Sequence, residues 1–175
     1  MARALLPQGM VTVIGRVSGF FGALAAVLCL AMIGVVFFDV VARYAFRGGS
    51  LGLQELEWHL FAAMFLLGAA YAMREDAHVR VDVFYAHMST KRRAWVDLVG
   101  TVFLVLPVCT VILYGSFDFV GYAYSIGESS PDPGGLPHRF IIKAAVPLGY
   151  ALVVLQSLAV VIRCVETLAT REDRP

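Results

Sequence analysis

Charge is what this sequence has least of. Only 15% of its 175 residues are Asp, Glu, Lys or Arg, while 59% are hydrophobic; a soluble domain carries roughly 25% charged residues. The deficit argues against a water-facing globule, and the net charge of +1 gives no basic field for nucleic acid. Cysteine is scarce too. Cys29, Cys109 and Cys164 each lie within or at the end of an apolar run, far apart in sequence. They read as small apolar residues, not as a disulfide or metal set. There is no phosphate-cradling Gly-rich loop with Lys and Ser/Thr, no nucleophile elbow and no zinc-protease pattern. His78, Asp82 and His87 have no paired-ligand motif around them and read as loop polarity. No catalytic residue, cofactor or metal ion is therefore assigned, and the chain is not expected to be an enzyme.

What the sequence does have is four long apolar runs, at residues 17–41, 53–73, 95–119 and 140–162, with nearly all charge at their ends. Each is close to or above the ~20 residues that a helix needs to cross a ~30 Å hydrocarbon core. In lipid every backbone polar group must be bonded internally, so the runs are predicted to be helices. The expected fold class is an all-α integral membrane protein of four transmembrane helices with short loops and interfacial helical segments. It forms a single membrane domain over residues 1–175, with no length left for a soluble one. The first run exceeds the 7–15 apolar residues of a signal peptide. Val27-Leu28 before Cys29 also lacks the small residue a lipoprotein processing site wants, so the run is read as retained.

Lys and Arg in short loops set orientation. Arg3, Arg16, Arg74, Arg80, Lys91, Arg92, Arg93, Arg163, Arg171 and Arg174 fall on one side; Arg43, Arg47, Arg139 and Lys143 fall on the other. Both termini are therefore expected in the cytoplasm, with Lys91-Arg92-Arg93 and Trp95 as the clearest anchor at the headgroups.

Polar residues near or within the runs are few enough to consider singly. Asp39 and Arg43, four apart on one helix face, can pair, with Arg43 snorkelling to the interface. Glu55 opens the second run, shares a face with His59 and is followed by Trp58, a residue suited to an interface. A carboxylate in a first turn is favoured by the helix dipole; near a membrane it also marks a functional or partner contact. Both readings of Glu55 stay open. Gln156 is the one strongly polar side chain deep in the fourth run and is expected to bond a neighbouring helix. Small residues let helices approach closely in lipid, and those at Gly15–Ala26 and Gly68–Ala72 are candidate contacts with a partner chain. Phe46–Gly52 is a Gly-rich break. Residues 78–83 alternate and read as extended or as the start of an interfacial segment. Pro107 is expected to bend the third span. Gly121–Pro137 reads as a turn-rich external loop, and Pro147 falls in the first turns of the fourth run.

Function follows by elimination. A haem carrier needs axial ligands inside its helices, and His59, near the end of its span, is the only histidine in one. A four-helix proton-coupled exporter needs a carboxylate deep in its first helix, whereas Asp39 stands at that helix's end beside Arg43. The chain is also too short for the inverted repeats of most secondary transporters. An accessory subunit whose chemistry lives in another chain remains, with a stand-alone exporter as the alternative.

The stretch Arg43-Tyr44-x-Phe46, Glu55-Leu56, Phe65-Leu66-Leu67-Gly68-Ala69-Ala70 and His78-Val79-x-Val81-Asp82 resembles the small permease subunit of tripartite ATP-independent periplasmic (TRAP) transporters, the DctQ type. The likeness runs from about Gly15 to Ile162. The segment Glu128–Pro137, followed by Arg139 and Lys143, looks like one branch of that family. The resemblance implies a bacterial inner-membrane subunit with two partners. One is a large permease subunit that moves a small solute, usually an organic acid, on a sodium or proton gradient; the other is a periplasmic receptor that captures it. It implies matched family positions at Arg43, Glu55, His78 and Asp82, and a loop carrying Glu128, Asp132 and Arg139 that faces the receptor. The family's Pro-Trp before the second span is replaced here by Leu51-Gly52-Leu53-Gln54.

Overall fold

A computed structural model describes residues 8–75 and 88–169. His78, Asp82 and His87, with the alternating 78–83 segment, lie outside the described residues. Four helices are long and apolar enough to cross a membrane, and no strand occurs among the described residues. The chain is thus an all-α, multi-pass membrane protein. We label its helices α1 (Gln8–Ala45), α2 (Leu51–Arg74), α3 (Thr90–Ser125) and α4 (Phe140–Ala169).

Helix ends overrun the apolar runs, because the backbone stays helical where hydropathy stops. α1 has 38 residues, about 57 Å at 1.5 Å each, well beyond a ~30 Å core. It closes at Ala45, where the amides of Phe46 and Gly48 both donate to the Ala42 carbonyl at 3.1 Å. Arg47 takes φ 50° there, a left-handed position usually given to glycine. Gly48 and Gly49 follow, and extended Ser50 leads into α2.

α3 is not a uniform helix. Its α-helical start, Thr90–Gly100, passes into a π turn at Thr101–Val105 before Leu106–Ser125 resumes α geometry. The Leu106 amide donates to the Thr101 carbonyl, five residues back. In a straight α-helix the Pro107 ring would clash with the carbonyl of Phe103; the wider turn sits directly before that proline and takes up the misfit. The expected disturbance at Pro107 therefore takes the form of a π turn. Two boundaries need correction. Leu51 and Gly52, read as part of the Gly-rich break, open α2. Gly121–Ser125, read as loop, complete the last turns of α3, because helical bonding carries through the flanking Tyr122 and Tyr124.

The helices form an open row, α1–α2–α4–α3. α1 packs along α2, α2 along α4, and α4 along α3, while α1 also touches α4. The core is small: Leu67, Ala70 and Leu152, flanked by Phe21, Leu24, Leu28 and Val153. Close approach is built from missing side chains. A Cβ on Gly22 would overlap the Tyr71 side chain, one on Gly19 would meet the Arg74 guanidinium at 2.6 Å, and one on Gly149 would lie 2.8 Å from the Leu66 carbonyl oxygen. Small residues favour such packing in lipid. The Gly15–Ala26 and Gly68–Ala72 stretches are thus used within this chain: Ala25 is buried and its Cβ faces Gly68. Large side chains such as Phe37, Phe65, Phe103 and Tyr114 point outward.

Candidate functional site

The polar groups gather at two levels. Glu55 stands one turn into α2, not in its first turn as expected, and is only 5% exposed. Its Oε1 accepts the Ser130 hydroxyl at 2.5 Å and lies 3.8 Å from the Arg139 guanidinium; its Oε2 accepts the Leu136 amide at 2.6 Å. The partners of this carboxylate therefore come from the α3–α4 connection, residues 126–139. That connection is closed on itself: the Arg139 amide donates to the Glu128 carbonyl at 2.9 Å and the Ser130 amide to the Leu136 carbonyl at 3.0 Å. Gly127 (φ 59°) and Gly134 (φ 85°) supply left-handed turns that most side chains resist. At Gly135 a Cβ would fall 2.9 Å from Glu55 Oε2, so the loop backbone reaches the carboxylate only because no side chain intervenes.

Beside this latch a second ion pair and a cation–π contact engage the neighbouring basic side chains. Lys143 bonds Glu128 and lies 4.2 Å from the centre of the Phe119 ring. Arg139 also stacks over Trp58 at 5.3 Å, a cation–π contact that fixes its guanidinium. His59 does not reach the Glu55 carboxylate; its Nδ1 lies 2.5 Å from the Glu55 carbonyl oxygen and its ring packs on Trp58 at 3.9 Å. Asp132 is exposed at the loop tip. Beside the latch a groove of about 330 Å³ runs between α2 and α4, with Leu56 and Leu60 on one wall, Ile141 and Ala145 on the other, and Pro137 and His138 at its mouth. A carboxylate with three partners on two oxygens is arranged to hold a loop in shape, not to offer a free lone pair to a solute.

Asp39 is 2% exposed near the end of α1 and is paired with Arg43 on the same helix; its Oδ1 has no hydrogen-bond partner. Gln156 is fully buried in α4 and accepts the Ser18 hydroxyl of α1 at 2.8 Å, while its Nε2 has no partner. One turn from Ser18, Arg74 Nη1 donates to the Gly15 carbonyl at 2.8 Å, tying the end of α2 to α1. Sequence reasoning singled out Glu55, Arg139 and Gln156 but not Ser130, Leu136, Ser18 or Arg74 as their neighbours. The one available signal was the Gly134-Gly135 pair, which marks where a backbone must come close. Among the described residues no group of three or more His, Cys, Asp or Glu side chains is placed to hold a metal ion, and the three cysteines are free thiols.

Residues 32–167 match the family model described as tripartite ATP-independent periplasmic transporters, DctQ component. Two Haemophilus influenzae proteins named as TRAP transporter small permease proteins are each 27% identical to this chain. One matches over 153 residues, covering 85% of this chain and 90% of the relative. The other matches over 137 residues, 77% and 81%. A Rhodobacter capsulatus protein, the C4-dicarboxylate TRAP transporter small permease protein DctQ, is 32% identical over 107 residues, which span 61% of this chain and 46% of that one. With four membrane-crossing helices and a family match over most of its length, the chain belongs to the DctQ family of TRAP transporter components.

Proposed function

We propose that this chain is the supporting small subunit that holds the large permease in the bilayer during ion-gradient-driven uptake of a small solute, an organic acid by its family ties. The observation that carries this reading is the open row of helices. In the most apolar stretches of α1, α2 and α3 only 11% of residues are buried inside the chain, and α3 is held chiefly through α4. Such a layer has broad apolar faces for lipid and for a larger companion. Its main polar groups are spent on internal contacts: Glu55 on the 126–139 loop, Gln156 on Ser18, and Asp39 on Arg43.

On this reading the chain sits in the bacterial inner membrane with both termini in the cytoplasm, in accord with the distribution of its Lys and Arg. The spans lie within the four apolar runs. The 126–139 loop then faces the periplasm, where Asp132 at its tip meets the solute receptor and the Glu55 latch keeps the loop's shape. The test is uptake by the large permease and its receptor in proteoliposomes, with and without this chain. Uptake is expected to fall sharply when the chain is omitted; full uptake without it overturns the proposal.

A further inference from the structure

We propose that the outward face of α3, along Val111, Gly115, Asp118 and Tyr122, is where a membrane helix of the large permease docks, and that this helix carries an arginine or lysine opposite Asp118. The inference rests on the supporting-subunit reading and deepens it by naming the contact face. α3 is an edge of the row. Among the described residues it packs chiefly against α4, so one side of it has no neighbour from this chain. The four residues follow at alternating four- and three-residue steps, which keeps them on one helix face, and all four are exposed. The buried residues of the same stretch, Cys109, Ser116 and Ala123, belong to another face.

Two features of the outward face serve nothing inside the chain. A Cβ on Gly115 would meet no atom within 4 Å, so no internal contact calls for a glycine there. A missing side chain on an outward face lets a second helix come close in lipid. Asp118 carries a charge among apolar and aromatic neighbours, and no hydrogen bond or ion pair from the described residues reaches it. Lys143 of α4 lies over the ring of adjacent Phe119 but is bonded to Glu128. Asp118 stands seven residues before the end of α3 at Ser125, about 10 Å along the helix. Ionisable side chains within membrane spans are costly and pair with a partner.

Charge selects the occupant. Lipid chains offer no donor, and anionic headgroups repel a carboxylate. A second copy of this chain packed face to face would set Asp118 against Asp118, with no cation on the stripe to answer it. A permease helix bearing one basic side chain answers the charge, and its backbone settles over Gly115, about one turn away.

The test is the affinity of the purified large permease for the full-length chain in one detergent. Gly115→Leu fills the notch and Asp118→Lys opposes the basic side chain; each should weaken binding at least about tenfold. Asp118→Glu should bind nearly as the natural chain does. Neither position meets a neighbour within the chain, so each variant alone should unfold no more easily than the natural chain. Natural binding with unchanged affinity in both disruptive variants overturns this inference and leaves the supporting-subunit reading standing. No binding by the natural chain overturns both. Easier unfolding of Gly115→Leu or Asp118→Lys alone overturns it by giving the face an internal role. Dimerisation of the natural chain that Gly115→Leu abolishes overturns it by assigning the face to a second copy.

Discussion

The substitution Gly149→Ala places one methyl group at the tightest backbone contact between α2 and α4. The new Cβ would stand 2.8 Å from the Leu66 carbonyl oxygen, 2.9 Å from its Cβ and 3.1 Å from its carbonyl carbon. Ordinary contact begins near 3.4 Å, so the two helices must part by roughly half an ångström or more. A flexible side chain would swing aside, but Leu66 presents helical backbone that cannot. The neighbouring layer of Leu67, Ala70 and Leu152 is the core of the row, and any separation of α2 from α4 loosens it. Overpacking of this kind costs about 1–3 kcal/mol, or roughly a 5- to 150-fold change in the folded-to-unfolded ratio. Gly115→Ala is the matched control, because nothing lies within 4 Å of a Cβ there and the expected change is within about 0.5 kcal/mol. Reversible unfolding of the purified full-length chain, followed by circular dichroism in one detergent, reads the difference. Equal stability of the two variants would refute the close α2–α4 contact from which the row is built.

Other outcomes follow from the polar contacts. Glu55→Ala should speed hydrogen exchange at the Ser130, Leu136 and Arg139 amides by about tenfold or more, through loss of charge-assisted hydrogen bonds that hold the loop. Glu55→Gln should have a smaller effect, because the amide oxygen still accepts the Leu136 N–H; unchanged exchange in the alanine variant would show that the latch does not hold the loop. Ser18→Ala should destabilise the chain by about 0.6–2 kcal/mol, since Gln156 Oε1 then loses the Ser18 hydroxyl while fully buried. Gln156→Leu should cost less, because it removes the unpartnered amide along with the bond. Denaturation of both variants measures the order, and the reverse order would contradict the Ser18–Gln156 contact.

Much of the architecture was legible because hydropathy alone decides what lies in lipid: the four apolar runs are four helices. Their ends were less so. Residues 8–16 continue α1 although they are not uniformly apolar, and Gly121–Ser125 continue α3 although glycine and serine suggested a loop. Pro107 announced a disturbance but not its form, since a bend and a π turn relieve the same clash. At the candidate site the residues of unusual cost were readable. A carboxylate at Glu55 and an amide at Gln156 call for partners; both Glu55 oxygens find them, and Gln156 finds one at its Oε1. Which partners they find was not readable, because Ser130 and Leu136 are more than seventy positions from Glu55, and Ser18 is farther still from Gln156. Pairing across that distance is set by which helices pack, not by local pattern. The small residues of α1 show the same limit: their spacing revealed a close contact but not that α2 of the same chain makes it.

The central claim is that this chain supports a transport path housed in a larger companion and has none of its own. The most direct measurement is flux of a radiolabelled solute that the receptor binds into vesicles holding a sodium or proton gradient. Vesicles containing this chain alone should match empty vesicles, and adding the large permease and the solute receptor should produce uptake. Gradient-driven flux through this chain alone would contradict the account.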